Sequence, residues 1–350
     1  MKVLVTGATG YVGGRLVPRL LAEGHEVRTT TRDLDRPAPW WGDRVEVVEM
    51  DIADERSVDA AVRGVEAVYY LVHGMDGGDF EDTDRAAAQH VATAVATHGV
   101  QRVVYLSGIV PEVDHDDLST HVSSRLEVEE ILGRSSAFVI TLRAAVLVGS
   151  ASTSFEIIRQ VSERVPVQTV PTWMDTQVQP VAVVDVIEAL VGALDAPGPS
   201  RHYDVGGPEA LSYAGLLDRY AAIAGLSRPQ VEVPLLPTDL VGSLVAALTD
   251  VPSPTVRALV QSLHHDMVAA EDDVRRDLLP TGYELVPLDD AIRRSLADPR
   301  VESADDPEQA DPMGPLPQDP SWSSGGDTDA SLLARSADAV RGAVDRVRGT

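Results

Sequence analysis

The chain has 350 residues, 44% of them hydrophobic, which is enough to bury a substantial core and excludes a disordered protein. Its 55 acidic and 29 basic residues give a net charge of −26, which argues against nucleic acid and anionic membrane as partners, because phosphate contacts depend on clustered basic side chains. With no cysteine there can be no disulfide, thiol nucleophile or cysteine zinc site, so redox chemistry would need a borrowed cofactor.

The opening residues, MKVLVTGATG, lack a charged leader, and no run approaches the roughly 18 apolar residues of a membrane span, so cytoplasm is the expected compartment and no transmembrane segment is expected. An acidic surface repels itself in dilute buffer and is screened within about 3 Å near 1 M salt, which points to a salt-loaded, halophilic cytoplasm. Codon bias in a GC-rich genome is the alternative for part of this composition, since Lys2 is the one lysine and asparagine is absent.

From the first residue onward, β-branched runs alternate with helical periodicity. Strands are expected over 2–6, 26–31, 45–49, 67–72, 102–107 and 138–142, with helices over 11–22, 55–62, 82–98 and 119–132. Such alternation implies a doubly wound parallel sheet, an α/β Rossmann fold, with residues 1–150 as its dinucleotide-binding core. Residues 151–300, with helices over 152–164, 184–194 and 213–224 and short strands near 178–182 and 202–205, complete the substrate side of the same unit. Two apolar stretches there, 240–248 and 256–263, read as a helical pair over the cleft, facing either a greasy substrate or ordinary core. Residues 301–330, rich in proline, glycine, serine and aspartate, read as a flexible acidic linker. A short amphipathic helix over 331–348 then presents Leu333, Ala337, Val340, Val344 and Val347, suited to a sister subunit, the chain's own core or a weak membrane contact.

Directly after the first strand comes Thr6-Gly7-Ala8-Thr9-Gly10-Tyr11-Val12-Gly13, a G-x-x-G-x-x-G run opening a helix. Glycines there permit a tight turn, close backbone approach to a pyrophosphate and close helix–strand packing, and the helix N-terminus supplies free amides. Dinucleotide binding is therefore expected at Gly7, Thr9, Gly10, Tyr11, Val12 and Gly13. At the end of the second strand the acidic slot that would hold an NAD ribose falls on Thr31, and Arg32 follows with a guanidinium suited to a 2′-phosphate, which favours NADP. A small register shift would put Asp33 there instead and favour NAD. Asp51 and Ile52 are placed to meet the adenine, unless Asp51 merely caps the next helix. Leu71, Val72 and His73 should pass near the pyrophosphate and nicotinamide ribose.

TGATGYVGGRL, YYLVHGM, GVQRVVYLSG, TLRAAVLVG, QPVAVVDVIEAL and YDVGGPEALSY together resemble the atypical short-chain dehydrogenase/reductases. The likeness is to their NmrA-like and YbjT-like branch, near the dinucleotide-binding accessory subunit of respiratory complex I, and it covers roughly residues 1–300. It implies an NAD(P)H-dependent oxidoreductase acting on a carbonyl or quinone-like small molecule, a non-catalytic redox sensor, or an accessory or assembly subunit docking through the terminal helix. Ser107 matches the family's active-site serine, but the Tyr-x-x-x-Lys pair is replaced by His121 and Arg125, one helical turn apart. The resemblance thus implies catalytic roles for Ser107, His121 and Arg125: substrate hydrogen-bond donor, proton donor and positioning cation. Without the tyrosine, sugar-nucleotide epimerisation is disfavoured. Arg143 matches a family arginine that orders the nicotinamide-side loop, or else makes a structural ion pair. Trp173 and residues 177–180 border the pocket by the same likeness, and the glycine-bearing loop 74–78, with Met75 and Asp79, could close over substrate.

Overall fold

The computed structural model describes residues 1–35, 38–74, 80–234, 236–297 and 307–324. Seven strands, β1 (Lys2–Val5), β2 (Glu26–Thr31), β3 (Glu46–Glu49), β4 (Ala67–Tyr70), β5 (Arg102–Gly108), β6 (Phe138–Ala144) and β7 (Arg201–Val205), form one sheet in the order β7-β6-β5-β4-β1-β2-β3. Every pairing in it is parallel. The doubly wound expectation holds, and the seventh strand is the one foreseen near 202–205. In such a sheet the chain order reverses between β1 and β4, and the crevice beyond their carboxyl ends is where ligands bind.

Successive residues of β1 feed opposite faces, as period-two geometry requires. Val3 and Val5 pack with Leu16, Val17 and Leu20 of helix α1 (Tyr11–Ala22) and with Val186 and Leu190 of helix α6 (Val183–Gly192). Leu4 faces the other way, onto Val58 and Val62 of α2 (Glu55–Val62), Val91 and Val95 of α3 (Phe80–His98), and Val128 and Leu132 of α4 (Thr120–Gly133). Beyond the sheet lie α5 (Thr153–Arg164), α7 (Tyr213–Ile223), α8 (Thr238–Leu248) and α9 (Ser253–Gln261). The expected helical pair over the cleft is α8 and α9.

One expectation fails. Residues 307–324, read as part of a flexible linker, are packed onto the start of α1. Arg15, whose side chain is fully buried, donates to both carboxylate oxygens of Asp319 at 2.8 and 3.0 Å and to the carbonyls of Pro312, Gly314 and Ser150. Pro18 lacks the amide that would bond the Gly14 carbonyl, and Gln318 Nε2 reaches that oxygen at 3.4 Å. Met313 is completely buried. The composition misleads because the segment is held by scattered anchors with no periodicity: buried Met313 and Leu316, the Arg15–Asp319 and Arg294–Asp311 pairs, and bonds from Arg159 and Gln160 to its backbone. The helix expected over 331–348 lies outside the described residues.

Candidate active site

Thr6, at the end of β1, builds the crevice. Its amide and hydroxyl both donate to the Tyr69 carbonyl at 3.0 Å, and its oxygen accepts from the Leu71 amide at 3.2 Å, so the segments leaving β1 and β4 are tied edge to edge. The glycine loop runs above. Gly7 has φ +72°, where an L side chain is strained, and a Cβ on Gly13 would stand 2.3 Å from the Gly7 carbonyl oxygen and 2.7 Å from Ala8 Cα. Gly10 caps α1 without a side-chain bond, and the first intrahelical amide to find an acceptor there is Gly14, bonded to Gly10 at 2.8 Å. The amides of Tyr11, Val12 and Gly13 therefore point out of the helix start as free donors.

A cavity of about 760 Å³ opens beneath this loop and gathers most of the residues singled out from sequence: Gly7, Gly10, Tyr11, Val12, Gly13, Leu71, His73, Ser107, His121 and Arg125. Thr9 is exposed on the loop, and Val72 flanks Leu71 without lining the cavity. Arg32, Asp51 and Ile52 follow the ends of β2 and β3, which the Met50 amide ties together through Thr31 at 2.8 Å. Arg32 is exposed. Asp33 accepts from the Asp35 amide at 2.9 Å through one carboxylate oxygen. Asp51 accepts from the Ala53 amide, whereas the cap of α2 is Asp54, so capping does not account for Asp51. Arg143 takes no part: its guanidinium forms a two-pronged pair with Glu129 of α4, both contacts at 2.9 Å, the ion-pair alternative of the two foreseen. Trp173 packs with the α8/α9 cluster and Gln179 bonds the Gly207 carbonyl, so both stand behind the cavity wall while Met174 lines it. Met75 and Asp79 lie outside the described residues.

At the floor, Ser107 at the end of β5 and His121 and Arg125 on α4 converge, with the His73 ring 6.5 Å from that of His121. Among the described residues, Ser107 Oγ and Arg125 Nε are buried with no hydrogen-bond partner in good geometry. Arg125 makes no ion pair among the described residues, and burial pulls its pKa below the ordinary arginine value. Burial, then the positive potential of Arg125, pulls His121 down to about 3. His73, exposed at the cavity, is lowered in the same direction by desolvation and then by the positive potentials of Arg125 and His121. The His121 imidazole is neutral at pH 7. Sequence spacing found these residues but not this electrostatic result, which removes the imidazolium that a proton-donor role for His121 assumes.

Sequence reasoning also passed over Asp84. Its buried carboxylate accepts from the Gly74 amide at 2.8 Å and the Ser124 hydroxyl at 3.4 Å, clamping the segment after β4 to α4 and so setting His73 against His121. Burial raises its pKa. The signal was present: Asp84, Ala88, Val91 and Val95 share one stripe of α3, and a charge on a helix's apolar stripe calls for a buried partner.

The site thus offers the free amides of the helix start, a guanidinium, a hydroxyl and imidazole groups, around a cradle that any Cβ at Gly13 would fill. That set fits the diphosphate and carboxamide of a nicotinamide dinucleotide. Residues 7–171 match the sequence model of the NAD(P)H-binding family. The chain is 29% identical over 285 residues to a Streptomyces griseus (4-alkanoyl-5-oxo-2,5-dihydrofuran-3-yl)methyl phosphate reductase, spanning 81% of this chain and 92% of that one. It is 27% identical over 219 residues to subunit 9 of the Arabidopsis thaliana mitochondrial NADH dehydrogenase [ubiquinone] 1 alpha subcomplex, spanning 59% of this chain and 54% of that one. Both the reductase and the complex I likeness read from the sequence are present among these relatives. A nucleoside-diphosphate-sugar epimerase from Staphylococcus aureus shares the fold, with a TM-score of 0.67 over 84% of this chain at 13% identity. The protein is NAD(P)H-binding, and no helix among the described residues is long and apolar enough to cross a membrane.

Proposed function

We propose that this protein is an NADPH-dependent reductase acting on a carbonyl group of a small or quinone-like molecule. The observation that carries this reading is the convergence of the orphaned Ser107 and Arg125 donors and the His121 ring on the cavity that also receives the glycine loop. The α1 amides and Gly7, Gly10 and Gly13 hold the diphosphate, with Thr9, Tyr11, Val12, Leu71, Val72 and His73 around it. Asp51 and Ile52 meet the adenine, and exposed Arg32 grips the 2′-phosphate. Bound there, reduced nicotinamide supplies a hydride to the carbonyl carbon.

The chain's own residues polarise the carbonyl. Ser107 donates its hydroxyl proton toward the substrate oxygen, the neutral His121 N–H donates a second bond, and the Arg125 charge stabilises the alkoxide as it develops. A neutral imidazole that polarises rather than protonates is a known solution where burial lowers the histidine pKa. The final proton comes from water at the cavity mouth. The same neutral His121 favours a second reading, a redox sensor that binds NADPH and NADP differently without turnover.

The deciding experiment is calorimetric titration with NADPH, NADP and NADH followed by a panel of quinones, enones and ketones. Expected are NADPH oxidation with at least one of them, a loss of about 10²–10³ in kcat in His121→Phe and Ser107→Ala with NADPH affinity kept within about twofold, and a roughly tenfold weaker NADPH preference in Arg32→Ala. Unequal NADPH and NADP affinities without any turnover select the sensor, and no heat on mixing overturns both. Salt adaptation is proposed from the charge imbalance alone, and unfolding midpoints that stay level from low to molar KCl would refute it; a cytoplasmic location is proposed from the absence of a leader-like start and of a long apolar run. A sister or accessory subunit is proposed to dock on residues 331–348, from the pattern of that segment.

A further inference from the structure

The cavity extends well past the groups that bind and polarise. Its far wall is built by three helices: Ile157, Ile158 and Val161 of α5, Leu240, Leu244 and Leu248 of α8, and further aliphatics of α9. The α8 leucines are spaced four residues apart and form one stripe, which in ordinary packing would be buried. They are not: all six of these side chains are only partly buried, whereas their neighbours Ala246, Val256 and Val260 are closed off at 9%, 0% and 4% exposure. The stripe therefore faces empty volume rather than core. Protein interiors are normally filled to crystal-like density, so a large void with aliphatic walls is a built feature, and such a space disfavours water and favours hydrocarbon. It is continuous with the donor cluster at Ser107 and His121, and its wall on this side is mainly aliphatic, with Arg164, Gln168 and Thr169 also among the lining residues.

We infer that the substrate carries a hydrocarbon tail that fills the chamber between α5, α8 and α9, with its carbonyl at Ser107 and His121. This rests on the reductase reading for the position of the carbonyl, but the tail site can be tested without turnover. Of the two roles open for α8 and α9 from sequence, lining a greasy substrate is the one this geometry selects.

The test is calorimetric binding of the unbranched methyl ketones from 2-butanone to 2-decanone to the full chain saturated with NADP, with NADPH oxidation followed in parallel. Affinity is expected to rise about fourfold per added methylene until the chamber is full. Leu244→Trp, which fills the space, and Leu240→Gln, which keeps its size and makes the wall polar, should each flatten that rise while NADP affinity stays within about twofold as a check on folding. A flat dependence on chain length overturns the tail site, as does a rise untouched in both variants. Chain-length-dependent binding supports the tail site whether or not the ketones turn over, and if the quinone and enone panel also gives no turnover the reductase reading falls while the tail site stands; turnover of short ketones with no chain-length effect does the reverse.

Discussion

The two walls of one cavity are specified by different physics. On the side of β1, β4 and α4, each residue is fixed by a contact that admits little substitution: Gly13 by a backbone oxygen at 2.3 Å from any Cβ, Thr6 by three bonds across two strands, Asp84 by an amide and a hydroxyl. On the side of α5, α8 and α9, only volume and apolarity are set, and leucine, isoleucine and valine serve alike. Directional groups fix where reaction occurs, whereas an aliphatic wall fixes how large the partner is. The first kind of wall should break at single atoms, and the second should change by degrees.

The largest effect is expected where the polar wall is tied to the C-terminal segment. Arg15→Leu leaves the Asp319 carboxylate, 6% exposed, without its partner and strands three carbonyls that the guanidinium satisfied. Breaking a buried pair from one side costs about 3–5 kcal/mol. Urea unfolding should show that loss, and Arg15→Leu combined with Asp319→Leu should recover part of it. A loss below about 1 kcal/mol would mean that residues 307–324 contribute little to holding α1. Next comes Gly13→Ala. The added methyl cannot avoid the Gly7 carbonyl unless the loop shifts, so NADPH affinity should fall at least about 100-fold, near 2.7 kcal/mol, with the fold retained by circular dichroism. Unchanged affinity would detach the glycine loop from the diphosphate.

These two variants also mark what could be read from the sequence. Gly13 and the parallel, doubly wound sheet were legible because period, spacing and strand–helix alternation translate directly into position, and Ser107 and His121 were reached through the family resemblance. Arg15 was not, because its partners lie about 300 residues away in a segment whose composition resembles a linker; only a charge beside Leu16 and Val17 on a core-facing helix hinted at it. Asp84 carried the same hint on α3. For Arg143 the sequence left two readings open, the nicotinamide-side loop or a structural ion pair, and its guanidinium is paired with Glu129, two turns along α4 from His121. A sequence shows which side chains carry charge, but the partner of a buried charge is decided by tertiary packing. The aliphatic chamber was visible as two apolar stretches, yet whether they met each other or a void depended on helix separation, which no periodicity encodes.

The smallest effect, and the most diagnostic of the polar wall, is on stability against pH. His121 titrates near 3 when folded, because burial and then Arg125 oppose its charge, and near 6.5 when unfolded. Between those values the unfolded chain takes up a proton that the folded chain refuses. The contribution of this ring to stability is therefore complete above about pH 6.5 and is lost as pH falls toward 3, at about 1.4 kcal/mol per pH unit. Because 55 acidic side chains also titrate as pH falls, the quantity to measure is the difference between the wild-type protein and His121→Gln, by urea unfolding at pH 7.5, 6.0 and 5.0 in fixed molar KCl. The variant should lose less stability on acidification, the gap widening by up to about 1.4 kcal/mol for each unit below 6.5. Parallel curves would mean that His121 is solvated and free to charge, which would return it to the proton-donor role that the buried geometry denies it.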